Sequence, residues 1–292
     1  LVKTAFITYG YVTDPDHKLL GLVTMRDLLF AGRDAQLADI MLRDVFVLRP
    51  GMTVPEAMKL SLSRHYPVYP VCDDQERLLG LVRGQSIFEA QAFEITAQAG
   101  SMVGGDKEER ISTPMLRSFM FRHPWLQLNL LTAFVAGGVV AMFQGTIDQL
   151  VILAMFLPVL AGQSGNTGCQ ALAVTLRGIT LGEIRHGDSR KLIAKEGLLG
   201  ALNGAPVGVV SGIAMYVIAS SQHSPHAPVL AMVVFLAMVG ACTISGISGA
   251  LVPLTLKRFG TDPATASSIF LTTATDVVSM GLLLGLASLL II

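Results

Sequence analysis

Charge of either sign is scarce in this 292-residue chain: Asp, Glu, Lys and Arg make up 14% of it, and 21 basic residues balance 21 acidic ones. A zero net charge with no basic cluster excludes a nucleic-acid-binding surface, which needs a concentrated positive patch. Cysteine is nearly lacking. Cys72, Cys169 and Cys242 are too few and too scattered for a disulfide framework or a zinc site, and read as small packing residues. The six histidines are dispersed, no G-x-x-x-x-G-K loop occurs, and Ser164 sits among glycines without a nearby base, so an enzyme is not expected. No basic segment followed by an apolar one opens the chain, so a signal peptide is not expected, and the strand-like start at Leu1 reads as part of a longer protein.

Hydrophobic residues fill 52% of the sequence, unevenly. Most charges fall in residues 1–123, which read as soluble and globular; beyond them lie five apolar stretches, 126–143, 150–176, 198–219, 229–256 and 266–292. Each meets or approaches the roughly 20 residues that cross a bilayer. The connection between the second and third holds Arg177, Arg185, Arg190, Lys191 and Lys195, and that between the fourth and fifth holds Lys257 and Arg258, whereas 144–149 and 220–228 hold neither Lys nor Arg. The positive-inside rule then places the N-terminal part in the cytosol and the C-terminus outside.

Within these stretches one formal charge stands alone, Asp276. A carboxylate in hydrocarbon costs several kcal/mol unless it meets water, a partner or an ion, which makes it a functional-site residue by default. About ten residues into its span, it falls close to the midplane; the alternative is that Thr275 or Asp276 caps a helix beginning at the interface, which would leave only Val277 to Ile292, about 24 Å and short for a full span, to cross. Ser268, Thr272, Thr275, Asp276 and Ser279 recur at helical intervals and predict one hydrophilic stripe. In the second stretch, Pro158 precedes Gly162-Gln163-Ser164-Gly165-Asn166-Thr167-Gly168-Cys169-Gln170, a run that fits either close helix packing or the lining of a wet cavity. Gly240, Thr243, Ser245, Gly246, Ser248 and Gly249 in the fourth favour packing. Oxygen ligands without thiolates or paired histidines suit hard cations, Mg²⁺ above all, and two copies around a two-fold axis would pair their Asp276 carboxylates.

The first part contains an internal repeat. Val12-Thr13-Asp14 leads into 19–27, and Val71-Cys72-Asp73-Asp74 leads into 78–86, each reading as strand, acidic turn, strand and helix. The arrangement resembles a pair of CBS modules, the first truncated, with Gly21-x-x-Thr24-x-x-Asp27 similar to that family's ribose-contacting pattern. Asp27 can accept from two ribose hydroxyls and Thr24 reach a phosphate; Thr and Asp three apart are equally ordinary capping residues. Arg83 and Ser86 stand at these places in the second module, so at most one adenine-nucleotide site is implied, on Gly21, Thr24, Arg26 and Asp27.

The membrane part resembles the MgtE magnesium channels. The resemblance is carried by Pro124-Trp125-Leu126-x-x-Asn129-Leu130-Leu131-Thr132-Ala133-Phe134, Pro158-Val159-x-Ala161-Gly162-x-x-Gly165-Asn166-x-Gly168-x-Gln170, Lys195-Glu196-x-x-x-Gly200-x-x-Asn203-Gly204, and Asp262-Pro263-Ala264 followed by Thr272-Thr273-x-Thr275-Asp276. It implies an α/β CBS pair at 1–88, a linking helix region at 89–123 and an all-α, five-helix transmembrane pore domain at 124–292. The expected assembly is a homodimer in a bacterial inner membrane, passing Mg²⁺ and gated from the cytosol. The implied metal residues are Asp276, the Thr272 carbonyl, Asp262 near the inner pore mouth, and Asn166. Asp73, Asp74, Glu76, Glu89 and Glu94 are the expected ligands of regulatory Mg²⁺, though the connecting helix is less acidic than in relatives and an exposed acidic turn is commonly only solvated. ATP or another adenine nucleotide is the implied regulatory ligand. Transport of Co²⁺, Mn²⁺ or Zn²⁺, or a nucleotide-sensing scaffold without flux, are the competing readings.

Overall fold

Asp14 and Asp73 shape two turns in the same way. In the computed structural model, which describes residues 9–61, 64, 66–184, 188–265 and 267–292, Asp14 Oδ1 accepts from the Asp16 and Lys18 amides at 3.0 and 2.7 Å. Asp73 Oδ1 accepts from Gln75 and Arg77 at 2.9 and 2.8 Å. Such side-chain mimicry of a backbone turn is what Asp does best. Each turn closes an antiparallel hairpin, β1 (Tyr9–Thr13) with β2 (Leu19–Thr24) and β3 (Val68–Cys72) with β4 (Leu78–Arg83), with the same irregularity one residue from its end. The repeat expected from sequence is therefore repeated in geometry. The two turns also join: the Leu19 amide donates to the Glu76 carbonyl and the Leu78 amide to that of His17, both at 2.9 Å.

These hairpins belong to the first of two compact units, Leu1–Thr96 and Ala97–Ile292. Around them lie α1 (Met25–Phe30), α2 (Leu37–Ile40), α3 (Val54–Ser61) and α4 (Gly84–Met102), the last running past the end of the unit. A capping box starts α3: Glu56 Oε2 accepts from the Thr53 amide and hydroxyl, both at 3.0 Å. Leu48, Met58, Tyr69 and Ile87 form the core. Gly21 is a steric necessity, because a Cβ there would lie 2.8 Å from the Leu42 carbonyl oxygen.

The second unit is helical: α5 (Met115–Met142), α6 (Gln144–Gln149), a 3₁₀ turn at Val151–Met155, α7 (Leu157–Thr180), α8 (Asp188–Ser221), α9 (Ala227–Arg258) and α10 (Ser267–Ile291). Four of these, α5, α8, α9 and α10, are long and apolar enough to cross a membrane. The second stretch, expected from sequence as one span over 150–176, is a helix that starts later. Instead of one helix from residue 150, the chain makes the 3₁₀ turn, and α7 starts at Leu157 because Pro158 favours a first helical turn, where its missing N–H costs nothing. At 24 residues α7 is roughly 36 Å long; its Gly, Gln, Asn and Thr content keeps it out of the apolar class.

α9 is the central helix, burying Val233, Val234, Ala237, Met238, Ala241 and Cys242 among others. It packs through glycine on both flanks. On α8, Gly200, Gly204, Gly208 and Gly212 recur every four residues, and a Cβ at any of them would strike α9 side chains or backbone; at Gly204 the Val239 Cα would be 3.1 Å away. Against α7, a Cβ on Gly249 would meet Ala171 Cβ at 2.8 Å and the Leu172 amide nitrogen at 3.0 Å. Lipid exerts no hydrophobic pressure between helices, so close backbone approach and dispersion must hold them. The packing expected of the fourth stretch is observed.

Candidate functional site

Asp276 is the tenth residue of an unbroken α10, so neither Thr275 nor Asp276 caps a helix. Its residue is half-buried, and among the described residues no basic side chain forms an ion pair with it. Two neighbours fix its surroundings. A Cβ on Gly165 of α7 would come within 4.0 Å of Thr275 Oγ1, and one on Gly168 within 3.0 Å of Leu271 Cδ1, so the small residues of α7 let α10 approach at the level of the carboxylate. One residue beyond that approach on each helix stand Asn166, exposed, and Asp276 itself.

The α10 hydroxyls do not form the single hydrophilic stripe that their spacing predicts. Thr275 and Ser279 are buried, while Thr272 is exposed and Ser268 is half-buried. Every one of these hydroxyls has found a carbonyl: Thr272 donates to Ser268 at 2.6 Å, Thr275 to Thr272 at 2.9 Å, Ser279 to Asp276 at 3.2 Å, and Ser268 to Met102 at 2.7 Å. In hydrocarbon a hydroxyl folded back on its own helix satisfies itself, and that local solution splits the stripe. It also engages the Thr272 carbonyl, leaving the Asp276 carboxylate as the strongest acceptor on this face.

The second stretch divides its residues between both roles considered for it. Ser164 and Gly168 are buried in helix packing, whereas Gly162, Asn166 and Cys169 are exposed on one face of α7, and Gln163 and Gln170, also exposed, border clefts shared with α8. Cys169 is thus exposed rather than a packing residue; Cys72 and Cys242 are buried.

Asp262 lies in the connection from α9 to α10, with both oxygens engaged. Oδ2 pairs with Lys107 Nζ at 2.8 Å and Oδ1 accepts from the Ala264 amide at 2.9 Å. Partial burial raises its carboxyl pKa, but the lysine and the amide outweigh this and hold it below the ordinary 3.8. The ion pair therefore contributes fully above pH 3.8 and fades as the pH falls through the depressed value. In Lys107→Met, amide exchange across 103–111 at pH 7 is expected to speed up about two- to fivefold, the size of a half-exposed ion pair.

In the hairpin unit, Thr24 caps α1: its Oγ1 accepts from the Asp27 amide at 3.1 Å and donates to the Asp27 carboxylate at 2.6 Å. The ordinary capping role of this pair is thus realised, and Arg26 beside it is exposed. The acidic residues are not gathered. Asp73 holds its own turn, Glu76 pairs with Arg49 at 2.6 Å, and Glu89 accepts from Gln85 at 2.9 Å. Asp74 is exposed; the Glu94 side chain lies outside the described residues. No group of three or more His, Cys, Asp or Glu side chains able to hold a metal occurs among the described residues.

Residues 157–286 match the family described as MgtE, divalent cation transporter, and residues 37–92 match the CBS domain. The magnesium transporter MgtE of Enterococcus faecalis is 30% identical over 97% of this chain, and that of Thermus thermophilus 28% identical over 98%. The chain spans only 61% and 62% of those two relatives' own lengths. Among solved structures, the cytosolic domain of the Mg²⁺ channel MgtE in complex with ATP is 30% identical over 29% of this chain and 34% of that one, with a TM-score of 0.28.

Proposed function

This chain matches the MgtE divalent cation transporter family at 157–286 and carries a CBS domain at 37–92, and on that premise we propose that it passes Mg²⁺ down its electrochemical gradient across a bacterial inner membrane as a homodimer. The observation that carries the reading is Asp276: a carboxylate ten residues into a membrane helix, half-buried, with no ion pair among the described residues. A group so placed must meet water, a partner or an ion, and a hydrated cation supplies both water and charge. Mg²⁺ dehydrates reluctantly and is held through its waters by one or two carboxylates, so Asp276 and its symmetry mate, with the exposed Asn166 amides, grip a hydrated ion from a two-fold axis. The uncovered polar face of α7 lies toward that axis. Purified protein in liposomes should give saturable Mg²⁺ uptake that Co²⁺, Mn²⁺ and Zn²⁺ compete with only at higher concentration. No flux at any Mg²⁺ level would leave a membrane scaffold, and stronger uptake of another dication would reassign the cargo.

Gating belongs to the cytosolic side in this reading, with the N-terminal part in the cytosol and the C-terminus outside. Asp73, Asp74, Glu89 and Glu94 supply regulatory Mg²⁺ ligands once a second copy or a closed state brings them together, and Glu76 joins them only by releasing Arg49. Asp262 acts at the inner mouth after exchanging Lys107 for the ion. An adenine nucleotide binds at Gly21, Thr24, Arg26 and Asp27, where the ribose hydroxyls take over the Asp27 carboxylate from Thr24. Asp27→Ala is expected to weaken ATP binding by tenfold or more in calorimetric titration, the loss of one or two hydrogen bonds to a charged acceptor. Asp14→Ala should leave it unchanged.

A further inference from the structure

Glu196 is an acid the proposed pore does not use. It lies eight residues into α8, about 12 Å from the helix start, with its side chain only 8% exposed. The sole ion-pair partner among the described residues, Lys195, holds its Nζ 3.9 Å away, beyond hydrogen-bond reach, and is itself 63% exposed. A buried carboxylate left in that condition is unfavourable unless something else meets it. What it meets is a cavity of about 220 Å³ between α7 and α8, floored by Gly246 of α9. Thr167 and Gln170 line it from α7, Lys195, Glu196 and Asn203 from α8. This pocket is on the opposite flank of α7 from α10, which Gly165 and Gly168 face.

We propose that this pocket binds a second hydrated divalent cation, held by the Glu196 carboxylate with Gln170, Asn203 and Thr167 supplying neutral oxygens. One carboxylate, two amide oxygens and a hydroxyl are a donor set for a hard cation that keeps most of its waters. The volume accommodates an ion with several waters at roughly 30 Å³ each. The Thr167 hydroxyl donates to the Gln163 carbonyl at 3.0 Å and lies 3.6 Å from Cys242 Sγ, and its oxygen can still accept or ligate. Lys195 is the resident competitor: its ammonium offsets the carboxylate when the ion is away and swings into solvent when it arrives.

Mn²⁺ titrated into the whole protein in nanodiscs and followed by electron paramagnetic resonance tests this, in an Asp276→Asn background that removes the pore carboxylate. Glu196→Gln should then abolish one Mn²⁺ equivalent or weaken it at least tenfold, and Lys195→Gln should tighten the same site several-fold. Gln170→Leu and Asn203→Leu, both at exposed positions, should weaken it about two- to tenfold each; they carry the test if Glu196→Gln does not fold. Unchanged Mn²⁺ stoichiometry and affinity across Glu196→Gln, Gln170→Leu and Asn203→Leu, or weaker binding in Lys195→Gln, would overturn the assignment. These outcomes are independent of whether the pore passes Mg²⁺.

Discussion

Asp276→Asn is expected to abolish saturable Mg²⁺ uptake into liposomes while leaving the protein folded. The two effects separate because the carboxylate contributes to the ion and not to the helix packing. Hydrogen bonds to a charged group contribute about 1.5–3 kcal/mol each, so neutralising the two carboxylates of a dimer removes roughly 3–6 kcal/mol of ion binding, a loss of about 10²–10⁴ in affinity. Stability should not fall: the residue is half-buried, no described side chain pairs with it, and removing an unpaired charge from hydrocarbon is favourable. Flux measured beside the elution volume and thermal midpoint of the same preparation gives both readings. Uptake within threefold of the parent would remove Asp276 from the permeation path, and a collapsed protein would mean that the carboxylate is structural.

The second large effect is predicted at Gly249. A Cβ there would overlap the Gly168 carbonyl oxygen and lie 2.8 Å from Ala171 Cβ. Both are backbone or backbone-adjacent atoms with no rotamer to yield, so α9 and α7 must separate. Gly249→Leu should therefore cost about 3 kcal/mol or more, at or above the upper end of overpacking penalties, and prevent recovery of monodisperse protein. Gly137 on α5 is the control, since a Cβ there meets nothing within 4 Å. Gly137→Ala should be neutral or stabilise by up to about 1 kcal/mol through helix propensity. Thermal unfolding in detergent compares the two, and equal midpoints would mean that the α7–α9 contact is not close.

Much of this was written in local sequence. The acidic turns at Asp14 and Asp73 were legible because Asp-driven turns depend on a few neighbouring atoms, and the hairpins followed. Long apolar runs located α5, α8, α9 and α10 for the same reason: bilayer thickness sets a length any sequence must meet. The start of α7 was misread, because hydropathy alone continued the run through 150–156 while Pro158 moved the helix start to 157. The α10 stripe was misjudged because periodicity reports which residues share a helix, not which neighbours they meet. Thr275 and Ser279 turned inward against protein, and their hydroxyls took carbonyls of their own helix.

Sequence by itself determined that a lone carboxylate sits deep in an apolar helix, that a polar, glycine-rich segment must find protein or water, and that two alike modules precede them. These follow from the cost of charge and bare amides in hydrocarbon and from turn chemistry, which act residue by residue. Only the tertiary structure decided which glycines carry the helix contacts, which face of α7 stays uncovered, that Asp262 is held by Lys107, and that Glu196 lines a cavity beside Lys195. Those outcomes depend on distances between residues far apart in the chain, set by how closely α7, α8 and α10 can approach α9.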